Sequence, residues 1–336
     1  MRAAVLHAPN TPLAVEERPV PEPGPGELLI RVVACGMCFS EVNHLRGHYP
    51  FGAFPVVPGH EVSGVVEALG PGVDFPAAGT RVGVPFLYDS CGHCDHCVRG
   101  DQILCPDKRA TGVGVDGGYA NYMIAKAGYA TPIPESLDPV AAAPLMCAGI
   151  TGFNGLRHAG VRPGSKVAVL GTGGVGTMTA RFAVAMGARV AVVSRNGRGA
   201  DHAKALGAEL FVATGEQDPA AALRGWDGGA DVVVNTAPST AAAEAAMGGI
   251  APDGTLLMLG FDPSPLRVSP MHLVVNRARV MGMPSGSPHD LRDTLAFAAA
   301  HGILPEVEPV SLDEAPAVLA AMADGTAPGG RHVITP

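Results

Sequence analysis

Short apolar runs interrupted by glycine and proline characterise the first 147 residues of the chain. Apolar, β-branched stretches occupy 28–34, 62–68 and 81–85, and turn-forming residues separate them. This pattern predicts many short strands in an irregular β-rich domain. The apolar run at the N-terminus is broken by Pro9 and is too short for a signal-peptide core, so we interpret it as the first strand.

From about residue 150 to 285 the pattern changes to apolar strands that alternate with alanine-rich helical segments. The predicted strands are 166–170, 189–193, 232–235 and 255–259, and the predicted helices are 175–186, 200–206 and 239–247. Strands that alternate with helices are typical of a doubly wound parallel sheet in an α/β domain.

The C-terminal segment carries a helical pattern at 290–301, then a strand, a helix at 311–323 and a final strand at 332–335. We expect this segment to rejoin the first domain. The prediction is therefore two domains: a β-rich domain formed by 1–147 and 286–336, and a doubly wound domain formed by 148–285.

Composition and charge narrow the classes of function. Apolar residues make up 47% of the sequence and charged residues 16%, which favours packed globular structure. A formal charge of −8 provides no basic surface for nucleic acid or for an anionic membrane. No apolar run approaches the roughly 18 residues that a membrane span needs. We expect small-molecule partners and a cytoplasmic location.

Four of the seven cysteines are crowded into one segment, here called the lobe (89–107). The spacing is C-x2-C-x2-C-x7-C, formed by Cys91, Cys94, Cys97 and Cys105. Four thiolates form a closed tetrahedral site, which is typical of structural zinc. The alternative is free thiols or disulfides, which a reducing compartment disfavours. His93 and His96 also lie in the lobe, but four cysteines already complete the ligand set.

A glycine-rich sequence follows the predicted strand 166–170 and opens the predicted helix; its residues include Gly171, Gly173, Gly174, Val175 and Gly176. In this strand-turn-helix context, the motif predicts a dinucleotide whose pyrophosphate lies at the helix N-terminus. A glycine-rich turn without a ligand is the alternative.

The end of the strand 189–193 bears on which dinucleotide binds. Ser194 stands where NAD-specific proteins carry an acid for the ribose hydroxyls. Arg195 and Arg198 follow, and guanidinium groups suit a 2′-phosphate. These residues favour NADP(H) over NAD(H), unless both arginines are simply solvated loop residues.

A second metal site is suggested by the remaining cysteines, Cys35, Cys38 and Cys147, together with His60. Two thiolates and one imidazole leave a fourth zinc position open, as in catalytic sites. Taken one at a time, such residues are more often buried structural side chains.

Three segments together resemble the zinc-containing medium-chain alcohol dehydrogenases, and the resemblance covers nearly the whole chain. They read Cys-Gly-Met-Cys-Phe-Ser-Glu at 35–41, Gly-His-Glu at 59–61 and Leu-Met-Cys-Ala-Gly-Ile-Thr at 145–151. The resemblance implies a GroES-like catalytic domain, a Rossmann cofactor domain, and two zinc ions per subunit, one of them bound by Cys38, His60 and Cys147. It also implies a homodimer or homotetramer.

The same resemblance assigns roles to further residues. Ser40 becomes the proton relay, and Glu61 tunes the metal or ligates it transiently. Thr151 packs beside the nicotinamide, and Arg331 contacts the cofactor pyrophosphate. The implied reaction is hydride exchange between NADP(H) and a small alcohol, aldehyde or ketone whose oxygen binds zinc.

Two residues depart from the family pattern. Phe39 stands where many members carry Arg or His, and Asn43 stands where a relay His is common. His44 or water is then expected to substitute in the proton path. This departure keeps open a reductase of C=N (iminium) or conjugated C=C bonds, and a non-catalytic NADP- or zinc-binding protein is a further alternative. Candidate walls of the substrate pocket are Phe51, Phe54, Phe86 and Tyr88.

Overall fold

The structure is a computed structural model that describes residues 1–327 and 329–336. The chain divides into two compact units, Met1–Ile150 with Gly286–Pro336 and Thr151–Ser285. Within the described residues, no helix combines the length and the apolar content needed to cross a bilayer.

The first 150 residues form short strands and two short helices. The strands are β1 (Arg2–Val5), β2 (Ala14–Glu17), β3 (Glu27–Gly36), β4 (Glu61–Leu69), β5 (Arg81–Val84), β6 (Leu87–Asp89), β7 (Arg109–Ala110), β8 (Tyr122–Lys126) and β9 (Thr131–Pro132). The helices are α1 (Phe39–Leu45) and α2 (Asp95–Arg99). The predicted β-rich character is confirmed, and α1 is an addition to it.

The second unit alternates strands and helices. After α3 (Ala148–His158), which contains the boundary between the units, the elements are β10 (Lys166–Leu170), α4 (Gly174–Ala185), β11 (Arg189–Ser194), α5 (Ala200–Ala205), β12 (Leu210–Ala213), α6 (Pro219–Gly225), β13 (Ala230–Asn235), α7 (Thr240–Met247), β14 (Ile250–Met258), α8 (Pro270–Asn276) and β15 (Arg279–Gly282).

These six strands form one parallel sheet in the order β12-β11-β10-β13-β14-β15. In chain order this is 3-2-1-4-5-6, the doubly wound arrangement of dinucleotide-binding domains. Its central strands are continuous apolar runs because helices cover both faces of such a sheet. The predicted doubly wound fold is confirmed.

The C-terminal residues belong to the first unit. They form α9 (Pro288–His301), β16 (Glu308–Val310), α10 (Ala315–Asp324) and β17 (His332–Ile334). The strand β17 pairs antiparallel with β3, with Val333 opposite Gly36 and Ile334 opposite Cys35. This pairing brings Arg331 close to the end of β3.

The long strand β3 organises the first unit. It pairs with β4, β8 and β17, and its buried residues Leu28, Ile30 and Val32 join the core. Gly36 at its end lies opposite Glu61 at the start of β4. Because Cys38 follows β3 and His60 precedes β4, this register brings the two side chains together.

Candidate active site and metal centres

Cys38 is held at the start of α1 by a capping box. Its backbone N–H donates to Glu41 Oε2 at 2.7 Å, and its sulfur lies 3.5 Å from the backbone nitrogen of Ser40. A reciprocal cap of this kind fixes the first turn of a helix. The Cys38 thiol is therefore oriented by the backbone of the short helix that follows it.

His60 is almost fully buried, with 1% of its surface exposed. Its Nδ1 lies 2.5 Å from Glu41 Oε1, whereas its Nε2 is buried and has no hydrogen-bond partner among the described residues. Burial opposes the charged imidazole, but the Glu41 carboxylate raises the pKa of His60 well above its ordinary value. A carboxylate on one ring nitrogen and an unpartnered second nitrogen are typical of a metal-binding histidine.

Glu41 is the residue whose role sequence reasoning missed. In the sequence it is only the last residue of the segment 35–41, yet it is 3% exposed and contacts both Cys38 and His60. The capping-box spacing from Cys38 to Glu41 was the available signal, although cysteine is an unusual capping residue.

The donor atoms of Cys38, His60, Glu61 and Cys147 all lie within 4.8 Å of one another. We call this group the buried cluster. The hydrogen bond with Cys147 lowers the pKa of the Cys38 thiol, and the same bond raises the pKa of Cys147. Three sequence segments thus converge on a site that contains two sulfurs, one imidazole and one carboxylate.

Glu61 is fully buried and forms an ion pair with Arg331. Burial raises the pKa of Glu61 to about 8, although the guanidinium opposes that shift. Arg331 also donates to the Met37 carbonyl at 2.9 Å, so two of its nitrogens serve the protein itself. Gly36 makes room for this pair, since a Cβ there would meet the Glu61 carboxylate. The contact of Arg331 with a cofactor pyrophosphate stays a prediction.

Ser40 lies beside the buried cluster, with its Oγ 3.5 Å from the Cys38 sulfur. Its hydroxyl also forms a hydrogen bond with Tyr49, and burial raises the pKa of that phenol to about 12. Tyr49 lies in a loop that the sequence did not single out, and no local pattern identifies the contact.

His44 is 1% exposed and stacks on Phe54, with ring centroids 4.8 Å apart and planes 5° apart. Burial lowers its pKa, and neither ring nitrogen makes a hydrogen bond of ordinary geometry with a described residue. This environment favours a neutral imidazole. Its part in proton transfer stays a prediction.

Aromatic rings lie on one side of the buried cluster. Phe86 presents its edge to His60 at 5.3 Å between centroids, and Tyr49 lies 6.4 Å from Phe86 and 5.3 Å from Phe51. Tyr88 instead hydrogen-bonds to Glu27 at 3.4 Å and packs under Arg109. Of the four aromatic candidates, Phe86 is therefore in direct contact with the candidate ligand His60, whereas Tyr88 faces other groups.

The lobe brings its four cysteine sulfurs within 4.8 Å of one another. The sulfur of Cys97 lies 3.9 Å from that of Cys91 and 3.5 Å from that of Cys94. A zinc–sulfur bond of about 2.3 Å predicts tetrahedral edges of ~3.8 Å, which these separations approach. Ser90 Oγ, 3.1 Å from the Cys97 sulfur, lowers the pKa of that thiol to about 7. The sulfur separations in the lobe therefore suit a tetrahedral metal.

The glycine-rich turn lies between β10 and α4. Gly171 has a φ of +100°, and a Cβ on Gly176 would approach the Gly171 carbonyl oxygen to 2.1 Å. Gly173 is the N-cap of α4 and provides no side-chain cap, and a Cβ there would meet open space. Free N–H groups at an open helix N-terminus are suited to a pyrophosphate.

The end of β11 carries no acid. Ser194 is partly buried, and the side chains of Arg195 and Arg198 are exposed, with no ion pair to any described residue. Asn196 caps the next turn through a 3.2 Å contact from the Arg198 N–H. Both guanidinium groups are thus available to an anion.

Thr151 is 7% exposed on α3.

Comparison with known proteins covers both units. The family profile described as alcohol dehydrogenase GroES-like domain matches residues 24–135, and that described as zinc-binding dehydrogenase matches 174–300. An alcohol dehydrogenase of Geobacillus stearothermophilus is 38% identical over 313 residues, which are 92% of this chain and 93% of that protein.

Two solved structures show the same fold over the whole chain. A zinc-binding dehydrogenase from Sinorhizobium meliloti bound to NADP has a TM-score of 0.89 and 30% identity, and it covers 100% of this chain and 99% of that chain. An NAD-dependent alcohol dehydrogenase has a TM-score of 0.90 and 30% identity, with 100% of both chains covered. One of these two proteins is thus bound to NADP, and the other is described as NAD-dependent.

Proposed function

The chain belongs to the zinc-containing medium-chain alcohol dehydrogenase family, and from that premise we propose that it transfers a hydride between NADP(H) and a small alcohol, aldehyde or ketone. The observation that carries the proposal is the buried, unpartnered Nε2 of His60 beside the two thiols of Cys38 and Cys147. Burying a polar atom without a partner costs free energy, and a ligand that binds the atom removes this cost.

The donor set fits a catalytic zinc. Cys38, His60 and Cys147 would hold the ion, leaving a fourth position for substrate oxygen. A zinc ion bound there supplies Lewis-acid polarisation of that oxygen. Glu61 is committed to Arg331, which supports a tuning role for its carboxylate rather than permanent ligation.

The protein's own residues would orient the reactants and move a proton. Ser40 Oγ is adjacent to the Cys38 sulfur and shares a hydrogen bond with the Tyr49 hydroxyl, so a proton that leaves the substrate meets two hydroxyl groups in sequence. Asn43 cannot titrate near neutral pH, and His44 is buried against Phe54. We therefore assign Ser40 the relay role and His44 a subordinate one.

The cofactor preference follows from charge. NADP(H) would place its pyrophosphate at the N-terminus of α4, where Gly173 leaves the turn open. Its 2′-phosphate would meet Ser194, Arg195 and Arg198, because β11 ends in a serine and not in the acid of NAD-specific proteins. The reaction class that the cofactor supplies is hydride transfer to or from the substrate carbon.

The exposed surface of α8 supports a homo-oligomer. Met271, Val274 and Val275 are 75%, 80% and 75% exposed, and β15 is an edge strand of the parallel sheet. Exposed apolar groups beside an unpaired strand edge favour association with a second copy. The homodimer or homotetramer is tested by light scattering on the wild type and on Val274→Asp.

The unpaired thiols of both clusters also support a reducing, cytoplasmic setting.

One experiment tests the activity and its closest alternative. NADPH and NADH consumption is measured with aldehydes, ketones, imines and enones, for the wild type and Arg195→Ala, with Arg162→Ala as the matched control. We expect carbonyl reduction with NADPH and, in Arg195→Ala, a KM for NADPH raised by about tenfold, with NADH little affected. Turnover of imines or enones alone would favour the second candidate, which the departure at Asn43 keeps in view. Equal effects on both cofactors would contradict the 2′-phosphate role.

A further inference from the structure

A cleft of about 720 Å³ lies in the first unit, at the side of the lobe. Its walls come from the lobe at 99–102, from the segment 127–132 and from the start of α9. Two hydrogen bonds tie these walls together: Ile103 N–H donates to Ser287 Oγ at 3.1 Å, and the hydroxyls of Ser90 and Tyr129 lie 2.6 Å apart. We call it the lobe cleft. None of its lining residues belongs to the buried cluster.

The lobe cleft is lined by three basic side chains. Arg99, His289 and Arg292 line it, and no Asp or Glu is among the described residues that do. Arg99 pairs with Asp101 at 3.3 Å and His289 with Asp290 at 3.2 Å, whereas Arg292 has no ion-pair partner in the described part of the chain. In a chain with a formal charge of −8, Arg292 is therefore the cation of this cleft that has no acidic partner among the described residues.

The remaining lining is apolar and aromatic. Phe75 is 69% exposed, and its side chain reaches the cleft together with Tyr129, Pro132 and Pro288. The cleft therefore combines an exposed aromatic ring with basic side chains.

From these features we propose that the lobe cleft is an accessory binding site for a small organic acid, one with a carboxylate on an apolar, preferably aromatic, body. The guanidinium of Arg292 matches a carboxylate in geometry and charge. Phe75 and Tyr129 offer faces to the body of the ligand. A volume of about 720 Å³ falls within the usual range of small-molecule sites and greatly exceeds that of a bare inorganic ion.

This assignment differs from a simple phosphate site. Inorganic phosphate would use Arg99 and Arg292 but would leave Phe75 exposed. It also differs from binding at the buried cluster, where an acid would meet the thiols of Cys38 and Cys147. Arg292 separates these cases because it lies on α9 and contributes nothing to the proposed catalytic site.

The test is isothermal titration calorimetry on the full-length protein saturated with NADPH, with benzoate, benzamide and inorganic phosphate as probes. We expect saturable binding of benzoate that is at least about tenfold tighter than that of its neutral analogue benzamide, because only the acid pairs with the arginines. Phosphate should bind more weakly than benzoate. Phosphate binding as tight as benzoate would overturn the organic-acid assignment.

Variants locate the site. Arg292→Gln should weaken benzoate by about tenfold, and Phe75→Ala by a smaller factor, while turnover stays at the wild-type level. Arg162→Gln, which removes an exposed arginine from the second unit, is the matched control and should leave the affinity unchanged. If benzoate binds Arg292→Gln and Phe75→Ala as tightly as the wild type, the lobe cleft is not its site. Melting curves of each variant verify that the fold is retained.

Discussion

The lobe takes all four of its candidate ligands from one short segment between Cys91 and Cys105, whereas the buried cluster draws on residues as distant as Cys38 and Cys147. The lobe contains only the five-residue α2 and a single 3-10 turn as regular structure. The buried cluster instead lies where β3, β4 and α1 meet within the core of the first unit. One site depends on its own loop and the other on the whole unit.

The two sites also differ in burial and in the polar side chains that contact them. Two of the four lobe cysteines, Cys91 and Cys94, are partly exposed, whereas in the buried cluster only Cys147 is. The buried cluster has carboxylates and a guanidinium in contact with its donor residues, whereas the Ser90 hydroxyl contacts a sulfur of the lobe. We infer that the protein alone preorganises the buried cluster, whereas the lobe needs its metal to keep its shape.

The largest effect is expected from Cys147→Ala, which removes one sulfur from the buried cluster. Turnover should fall by about 10³-fold or more, or ~4 kcal/mol of transition-state stabilisation, because the metal is lost or misplaced. Metal analysis should find one zinc per chain instead of two. Cys35→Ala is the matched control, since this buried thiol lies outside the cluster. Full activity in Cys147→Ala would rule out chemistry at this site.

The converse change is Cys94→Ala in the lobe. One zinc per chain should again be lost and the melting temperature should fall, but kcat should stay within about twofold, because the two sites share no ligand. His93→Ala, a change at an exposed neighbour, should keep both metals. A loss of activity as large as that of Cys147→Ala would show that the two sites depend on each other.

The difference between the regions also explains what the sequence predicted. The lobe could be predicted from the sequence because its candidate ligands are close together in the chain, so their spacing alone identifies it. The central strands β10 and β11 could be predicted because buried parallel strands are continuous apolar runs. The edge strand β15 was missed, since three of its four residues are exposed and it carries no apolar pattern.

The buried cluster could be predicted only through the resemblance of the sequence to a known family. Contacts that complete it join residues far apart in sequence: Arg331 and Glu61 are 270 positions apart. The hydrogen bond between Tyr49 and Ser40 depends on the path of a loop, and the short helix α1 depends on an unusual cysteine cap. No local periodicity encodes such contacts, because tertiary packing determines them.

A smaller effect tests the surroundings of the buried cluster. Glu41→Gln keeps an acceptor for the Cys38 N–H but removes the charge that faces His60. Zinc affinity at this site should fall by about 10- to 100-fold, as for other carboxylates behind a metal-binding histidine. Competition with a chelator measures it. Glu67→Gln, a surface carboxylate paired with Arg31, should change nothing. Unchanged affinity in Glu41→Gln would refute the orienting role.

The smallest effect is expected from the equivalent change in the lobe, Ser90→Ala. Ser90 Oγ is 3.1 Å from the Cys97 sulfur, so its loss removes one hydrogen bond to a candidate ligand. The lobe is partly exposed, and water can replace that bond, so zinc release should accelerate by only about two- to fivefold. Release is followed with a chromogenic chelator, and Tyr129→Phe serves as the control that removes only the second hydroxyl. If Ser90→Ala raises the zinc release rate by as large a factor as Glu41→Gln lowers the zinc affinity, the buried cluster does not depend more on its protein surroundings than the lobe does.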